Sequence, residues 1–287
     1  MAGPRRDTRG IVEAQDLFAR VRFRRREPAP VLRPYLEHYW LIDWDLTEPY
    51  ASHVVPHPSV NVVFQQYGDE PGWAEVAGIG LSLFTQKLEG WGRVCGVQFR
   101  PGGFRPFAPG RPVSDWTGQR LPIGDVLPGA DSDTVLSVVG PEAEDARVAA
   151  LDAFLLGLEP AADPQALRAM ELVDLVRGDR TIRRVAELAA AEGVSARSLQ
   201  RLFAAYVGVG PKWVILRYRI HEALERAESG GGRGAESPEG PEGGLEDGLD
   251  WAALAAELGY SDQAHLVRDF TATVGVPPTA YARPAPQ

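Results

Sequence analysis

The sequence predicts an α+β protein in which a β-rich N-terminal domain precedes an all-α C-terminal domain with two helix-turn-helix units. Residues 21–125 contain short β-branched and aromatic runs separated by Pro and Gly, which is typical of strands and turns. After about residue 141 the chain changes to Ala- and Leu-rich runs with helical spacing. A pattern in the last third of the chain occurs twice, which indicates a duplicated structural unit.

The predicted elements divide the 287 residues into segments. Residues 1–20 are expected to be a flexible arm and residues 126–164 a helical connector. Residues 165–287 form the predicted helical domain, interrupted at 229–248 by an acidic insertion rich in Gly, Pro and Glu, which is expected to be flexible. The strands of the β-rich domain are predicted at 38–44, 60–64 and 94–99.

The repeat begins at Leu199 and recurs 67 residues later at Leu266. Identities drawn from several residue types, including helix breakers, are hard to attribute to shared composition. In order along the chain, the matching residues are Leu199, Arg201, Phe203, Val207, Gly208, Val209 and Pro211, then Leu266, Arg268, Phe270, Val274, Gly275, Val276 and Pro278. The C-terminal third is therefore duplicated.

Each copy has the pattern of a helix, a Gly-containing turn and a second helix. Gly193 and Gly259 lie in the two turns, and Ser195 and Asp262 are the expected N-caps of the second helices. Once the apolar positions are assigned to the core, an exposed face remains on each second helix. These faces comprise Arg197, Gln200 and Arg201 in the first unit, and Gln263, Ala264, Val267 and Arg268 in the second.

Arg and Gln in the N-terminal half of a short helix suit the major groove of DNA, because Arg can bridge guanine O6 and N7 and Gln can pair with adenine. The net charge of −9 opposes DNA binding, but its distribution is uneven. Residues 181–219 contain seven basic and two acidic side chains and so carry +5. This local excess predicts a basic face for phosphate contact. His265, in the second helix of the second unit, is a further candidate for phosphate contact, and solvent exposure or packing is the alternative.

Residues 181–283 resemble the DNA-binding domain of the AraC/XylS family of bacterial transcription regulators. The matching residues are Gly193, Val194, Ser195, 199–203, Gly208 and Pro211, then Leu254, Ala255, 259–261, Arg268, Phe270, Gly275, Pro278 and Tyr281. The resemblance implies that Arg197, Gln200 and Arg201 read bases in the first unit, and Gln263 and Arg268 in the second. The first unit is expected to dominate affinity, because the chain from Trp251 onward carries a net charge of −1.

The β-rich domain resembles, more loosely, the cupin-like sensor domains of such regulators. Its loop at 100–107 contains Arg100 and Arg105 between phenylalanines, and His57 lies in a second matching segment. These three residues are candidates for binding an anionic small-molecule effector. The alternative is a structural role, in which each arginine pairs with a carboxylate.

Other features of the sequence predict no catalytic or metal chemistry. Cys95 lies in an apolar run and is expected to be a small buried hydrophobe. His53 and His57 are separated by Pro56, and no third ligand stands out near them, so no metal or other cofactor is expected. Neither a signal peptide nor a membrane-spanning run is recognised, which favours a cytoplasmic protein.

The prediction is a cytoplasmic, non-enzymatic regulator whose partner is double-stranded promoter DNA. RNA polymerase, a small-molecule effector and a second copy of the chain are further candidate partners. Two alternatives stay open: a cupin-type metal-dependent enzyme with a helical appendage, and a protein-interaction module. The enzyme would need clustered histidines and a carboxylate, and the interaction module leaves Arg and Gln on the recognition face without a purpose.

Overall fold

The structure is a computed structural model that describes residues 10–231 and 249–281. Its N-terminal part is a seven-stranded antiparallel sheet with the strand order β1-β3-β6-β4-β5-β7, in which β2 also pairs with β3, on the same edge as β1. The strands are β1 (Ile11–Val12), β2 (Arg22–Arg26), β3 (Leu36–Val54), β4 (Asn61–Tyr67), β5 (Trp73–Ala77), β6 (Phe84–Phe99) and β7 (Arg120–Pro122). We call residues 10–125 the sheet domain.

The three predicted strands are confirmed as parts of β3, β4 and β6, although β3 and β6 are much longer than expected. These two strands pair from Leu36 opposite Phe99 to Val54 opposite Phe84. Glycines on β6 make room for indole rings of β3. A Cβ at Gly96 would lie 1.9 Å from the Trp40 ring, and one at Gly92 would lie 2.0 Å from the Trp44 ring.

The described helices account for most of the chain after residue 131. They are α1 (Ala14–Arg20), α2 (Ser132–Val139), α3 (Glu144–Gly157), α4 (Pro164–Gly178), α5 (Val185–Ala191), α6 (Ala196–Tyr206), α7 (Pro211–Gly231), α8 (Trp251–Glu257), α9 (Gln263–Val274) and α10 (Pro278–Tyr281). The predicted fold class, a β-rich domain followed by an all-α region, is confirmed. None of the helices in 10–231 and 249–281 has the length and apolar character that crossing a bilayer requires.

The second half of the predicted flexible arm is ordered, so that prediction is wrong for residues 10–20. Strand β1 pairs with the end of β3, and α1 buries Ala14 and Leu17 against the sheet in a cluster that includes Trp44 and Val94. The burial of these apolar side chains stabilises the segment. Residues 1–9 lie outside the described part of the chain.

The predicted helical connector is a layer of the sheet domain's core. Val138 of α2 and Leu155 of α3 are fully buried in one cluster with Phe64 and Val97 of the sheet. The helices pack here because an apolar sheet face must be covered by a second layer. Residues 126–164 therefore cover the sheet and stabilise it.

A buried ionic network fastens α3 to the sheet. Asp43 of β3 accepts hydrogen bonds from Arg93 Nε at 2.7 Å and from Arg147 Nη1 at 2.9 Å. Burial raises the pKa of Asp43, but hydrogen bonds from Arg147, Arg93 and Arg24 outweigh it, so the pKa is lowered on balance. The nearby Cys95 is fully buried, which confirms its expected role as a small core residue.

The helical region packs on the sheet domain through two hydrophobic clusters. The first runs continuously from the sheet into α4, α5, α6 and the start of α7. The second joins the later part of α7 to α8 and α9, and includes Val12 and Val55 of the sheet domain. The predicted insertion at 229–248 begins inside α7, whose last described residue is Gly231, and residues 232–248 lie outside the described residues.

Candidate nucleic-acid interface

The first helix-turn-helix unit consists of α5, a tight turn and α6. Gly193 in the turn has φ of 63°, a conformation that glycine adopts without strain. Ser195 caps α6, because its side chain accepts a hydrogen bond from the backbone N–H of Ser198 at 3.1 Å. Leu199 and Phe203 of α6 are buried. The predicted turn, cap and apolar face of this unit are confirmed.

The second unit, α8 and α9, repeats the arrangement. Gly259 in its turn has φ of 73°, and Asp262 accepts a hydrogen bond from the His265 N–H at 2.7 Å. This backbone hydrogen bond lowers the pKa of Asp262. Leu266 and Phe270 are fully buried. The predicted cap and buried face are confirmed here as well.

The duplicated glycines and prolines occupy equivalent positions beyond the second helices. Gly208 after α6 has φ of 91°, and Gly275 after α9 has φ of 87°. Pro211 begins α7 and Pro278 begins α10, which is the position in a helix where proline is tolerated. The repeat in the sequence is therefore also a repeat in structure.

The candidate base readers of the first unit are exposed. Arg197, Gln200 and Arg201 point away from the core that Leu199 and Phe203 enter. No hydrogen bond or ion pair joins any of the three side chains to another residue of 10–231 or 249–281. We call these three residues the first recognition face.

The second recognition face carries one arginine instead of two and is more apolar. Gln263, Ala264 and Arg268 are exposed, and Val267 is half-buried. The ring of His265 is half-buried and lies nearly perpendicular to the Tyr260 ring, with 5.1 Å between the centroids. Its Nδ1 lies 3.2 Å from Ser261 Oγ and its Nε2 lies 3.7 Å from Asp269, so both nitrogens have neighbours within the protein.

The basic face is smaller than the charge count predicts. Arg217 is buried with its guanidinium 4.4 Å from the centroid of the Trp213 ring. Arg183 and Arg219 take part in contacts within the protein. The basic residues of 181–219 whose side chains stay exposed, with no side-chain hydrogen bond or ion pair to another described residue, are Arg184, Arg197, Arg201 and Lys212. Glu192 is offset by an ion pair with Arg168 of α4.

The structure does not bring the three candidate effector residues together. Arg100 donates to the Pro34 carbonyl and pairs with Asp174 of α4. Arg105 donates to the Ala205 carbonyl at 3.2 Å and lies over the Tyr206 ring. Both arginines therefore join the sheet domain to the helical region, which corresponds to the structural alternative. Among the described residues, only Arg100 of the two has a carboxylate partner.

His57 lies at a cleft of about 200 Å³ between the sheet domain and the helices α4, α7 and α8. Its ring packs at steep angles against the rings of Tyr218 and His221, with 5.6 Å between the centroids in each pair. Its Nδ1 lies 2.8 Å from Ser59 Oγ. His53 lies elsewhere, beside Thr85. Within 10–231 and 249–281 no three His, Cys, Asp or Glu side chains form a group that could hold a metal ion.

Two contacts between distant segments of the chain have no signal in the sequence. Thr117 of the sheet domain donates its hydroxyl to the Gly208 carbonyl at 2.8 Å. Arg183, counted in the sequence only as one basic residue, reaches the carbonyl of Glu257 in the second unit at 3.1 Å. Both contacts join residues more than 70 positions apart, and neither local periodicity nor motif spacing reports such pairs.

The geometry defines a sheet domain joined to a tandem helix-turn-helix region. Residues 24–122 match a family described as a domain of unknown function, DUF6597. A comparison with curated proteins finds no match. Among solved structures the chain is similar to ToxT from Vibrio cholerae, at 12% identity over 85% of this chain and 97% of that chain, with a TM-score of 0.41. An apo variant of ToxT aligns at 15% identity over 90% of this chain and 98% of that one, with a TM-score of 0.42.

A third structure, of ToxT with an unsaturated fatty acid bound, aligns at 13% identity over 90% of this chain and 96% of that chain, with a TM-score of 0.40. At these identities the function of the present chain has to be argued from its own residues.

Proposed function

We propose that the protein is a sequence-specific DNA-binding transcription regulator of the AraC/XylS type. The observation that carries the proposal is the first recognition face, where Arg197, Gln200 and Arg201 are exposed on a capped helix without partners among the described residues. Side chains of this kind, held on a rigid helix, can satisfy their donors and acceptors on base edges in the major groove. A purely structural helix face has no comparable use for them.

The second unit contributes a weaker contact. Gln263 and Arg268 are exposed, but Ala264 and half-buried Val267 between them can offer bases only apolar contact, for example with a thymine methyl group. The low basic charge of this unit limits its phosphate contacts. Most of the affinity and base preference therefore resides in the first unit.

The linking helix has a suitable length for two adjacent groove segments. Helix α7 contains 21 residues, which corresponds to about 30 Å at the usual rise per residue. Successive major-groove segments on one face of a duplex lie about 34 Å apart. One monomer can therefore place α6 and α9 in neighbouring segments of promoter DNA.

The sheet domain is proposed to control this activity by binding a small-molecule effector or by dimerisation. Its support is the contact of the sheet domain with both units, through Arg105 and Thr117 at the first and through Val12 and Val55 at the second. A change in the sheet domain would therefore alter the placement of both recognition helices. We propose a cytoplasmic, non-enzymatic protein, with RNA polymerase as a further partner at the promoter.

Selection of bound duplexes from random DNA by the full chain tests the proposal. The expected result is one strongly selected block of bases and a second, weaker block about one helical turn away. The matched control is the chain with Arg197, Gln200 and Arg201 all replaced by Ala, which should lose the strong block. Recovery of no preferred sequence by the unaltered chain would rule out sequence-specific binding.

A further inference from the structure

Arg183 lies outside both recognition faces, two residues before α5, and its side chain crosses to the second unit. Its Nη2 donates to the Glu257 carbonyl at the end of α8, at 3.1 Å. Its aliphatic part lies against Gly259, where a Cβ would come within 2.5 Å of Arg183 Cδ. The turn of the second unit is therefore shaped to receive this arginine.

The backbone around Arg183 is anchored to the first unit and to α7. The N–H of Arg183 donates to Glu187 Oε2 at 2.5 Å, and Glu187 also accepts from the N–H of Arg184 at 2.8 Å. Arg219 of α7 donates to the carbonyl of Arg183, and its guanidinium lies over the Tyr260 ring. Arg183 is thus held at its base by one unit and at its tip by the other.

The apolar packing of the second unit is less directional than this contact. Ile220 and Leu224 of α7 pack in one cluster with Leu254 and Leu266 of the second unit. Hydrophobic contact depends mainly on the area buried, whereas a hydrogen bond also requires a defined distance and angle. The polar contact at Arg183 can therefore select one position of the second unit relative to the first.

We propose that Arg183 is the positioning residue that sets the distance and rotation between α6 and α9. The consequence for DNA binding rests on the proposed function: Arg183 determines which spacing between the two half-sites the protein accepts. The residue meets no base in this role. It acts through the Gly259 turn, which immediately precedes α9 and its cap, Asp262.

The geometric part of the proposal is tested without DNA in the full chain. Nitroxide labels are attached to Gln200→Cys and Gln263→Cys, one on each recognition helix, and the distance distribution is measured by pulsed electron resonance. Cys95 is the only native cysteine; its full burial shields it from the label, and burial raises its thiol pKa to about 11.

The expected distribution is narrow for the labelled chain and clearly broader after Arg183→Ala. Arg183→Met, which keeps most of the stem and removes the donors, should give intermediate broadening. The matched control is Arg184→Ala, which removes the same charge one position away and should leave the distribution narrow. An unchanged distribution in both Arg183 variants would overturn the proposal.

The effect of Arg183 on half-site spacing is tested with duplexes that the unaltered chain selects. Variants of these duplexes have one or two base pairs inserted between the two selected blocks. The unaltered chain should discriminate strongly against the insertions, and Arg183→Ala should reduce that discrimination about fivefold, which corresponds to one hydrogen bond. Arg184→Ala should lower affinity for all the duplexes alike. If Arg183→Ala discriminated against the insertions as strongly as the unaltered chain does, the role of Arg183 in spacing would be overturned. If the unaltered chain selected no duplex, the proposed function would be overturned, but the distance measurement would stay valid.

Discussion

Arg105 of the sheet domain lies over the ring of Tyr206, the last residue of α6, with 4.6 Å between its Cζ and the ring centroid. The same guanidinium donates to the Ala205 carbonyl, and Thr117 donates to the Gly208 carbonyl just beyond the helix. The sheet domain therefore holds the C-terminal end of the helix whose N-terminal half is proposed to meet bases. A ligand or partner that shifts the 105–117 segment would move α6.

Replacement of Gly208 tests how tightly the sheet domain is packed on this end of α6. Gly208→Ala places a Cβ 2.6 Å from Ile79 Cδ1 and 2.9 Å from Val113 Cγ1, in addition to the strain of a positive φ. Gly193→Ala has the same kind of strain with nothing within 4 Å. We expect Gly193→Ala to lower the free energy of unfolding by about 1 kcal/mol, and Gly208→Ala by about 1–3 kcal/mol more. Urea titration measures both, and equal losses would show that the interface accommodates the methyl group.

Arg201 is the residue of the first recognition face that the repeat matches with Arg268. Arg201→Ala should weaken specific binding by about 1–3 kcal/mol and relax the base preference at one position of the selected site. The control is Arg111→Ala, an exposed arginine of the sheet domain that pairs only with Asp115 among the described residues. Electrophoretic shift assays on single-base variants of the selected duplex provide the measurement. Unaltered affinity and preference would remove Arg201 from the base readers.

The local features of the two units could be predicted from the sequence because each depends on residues close in the chain. Ser195 and Asp262 cap helices that begin one residue later, and Leu199 and Phe203 lie on one face because they are four apart. Both recognition faces follow by elimination of these buried positions. Three of the seven described strands were also predicted, as parts of β3, β4 and β6, because β-branched and aromatic runs are local signals.

Contacts between distant segments could not be predicted in the same way. Leu17 and Ala14 lie in the predicted flexible arm, but the pairing of β1 with β3 brings them against the sheet, where they are buried. Arg217 counts as a positive charge in the sequence, but the packing of α7 buries it. The roles of Arg183 and Arg105 depend on partners 74 and 100 positions away. Only the folded chain shows which arginine side chains remain exposed without a partner among the described residues.

Asp43→Asn tests the buried network between the sheet and α3. Removal of the carboxylate takes away the negative charge that pairs with Arg147 and Arg93. The side chains of these two arginines are buried, at 1% and 6% exposed. We expect a loss of about 3 kcal/mol in the free energy of unfolding at neutral pH. Asp45→Asn, at an exposed position on the same strand, is the control and should change stability little.

The same network predicts a dependence on acid. Because the folded-state pKa of Asp43 is lowered, its contribution to stability is complete above the ordinary aspartate pKa of about 3.9 and is lost as the pH falls through the lowered value. Unfolding curves of the unaltered chain and of Asp43→Asn should therefore converge in strong acid. A constant difference between them down to pH of about 2 would contradict the assigned direction.

Arg217 carries a buried charge that the fold does not fully compensate. Its Nη1 has no hydrogen-bond partner among the described residues, and burial lowers the pKa of its guanidinium to about 10. The charged form is therefore penalised in the folded state at neutral pH, and the penalty is relieved only as the pH rises above about 10. The Trp213 ring offsets part of this cost, since a cation over an indole face is attracted to it.

Arg217→Met keeps an unbranched apolar stem against Trp213 and removes the charge. Replacement of a buried charge by an apolar side chain of similar length is often neutral or stabilising, so we expect an unfolding midpoint in urea that is unchanged or higher. Arg219→Met is the matched control on the same helix. It should lower the midpoint, because the Arg219 guanidinium donates to the Arg183 carbonyl and lies over Tyr260. If Arg217→Met lowered the midpoint as much as Arg219→Met does, the prediction would be wrong. The guanidinium of Arg217 would then stabilise the fold, and its desolvation would not dominate its effect on stability.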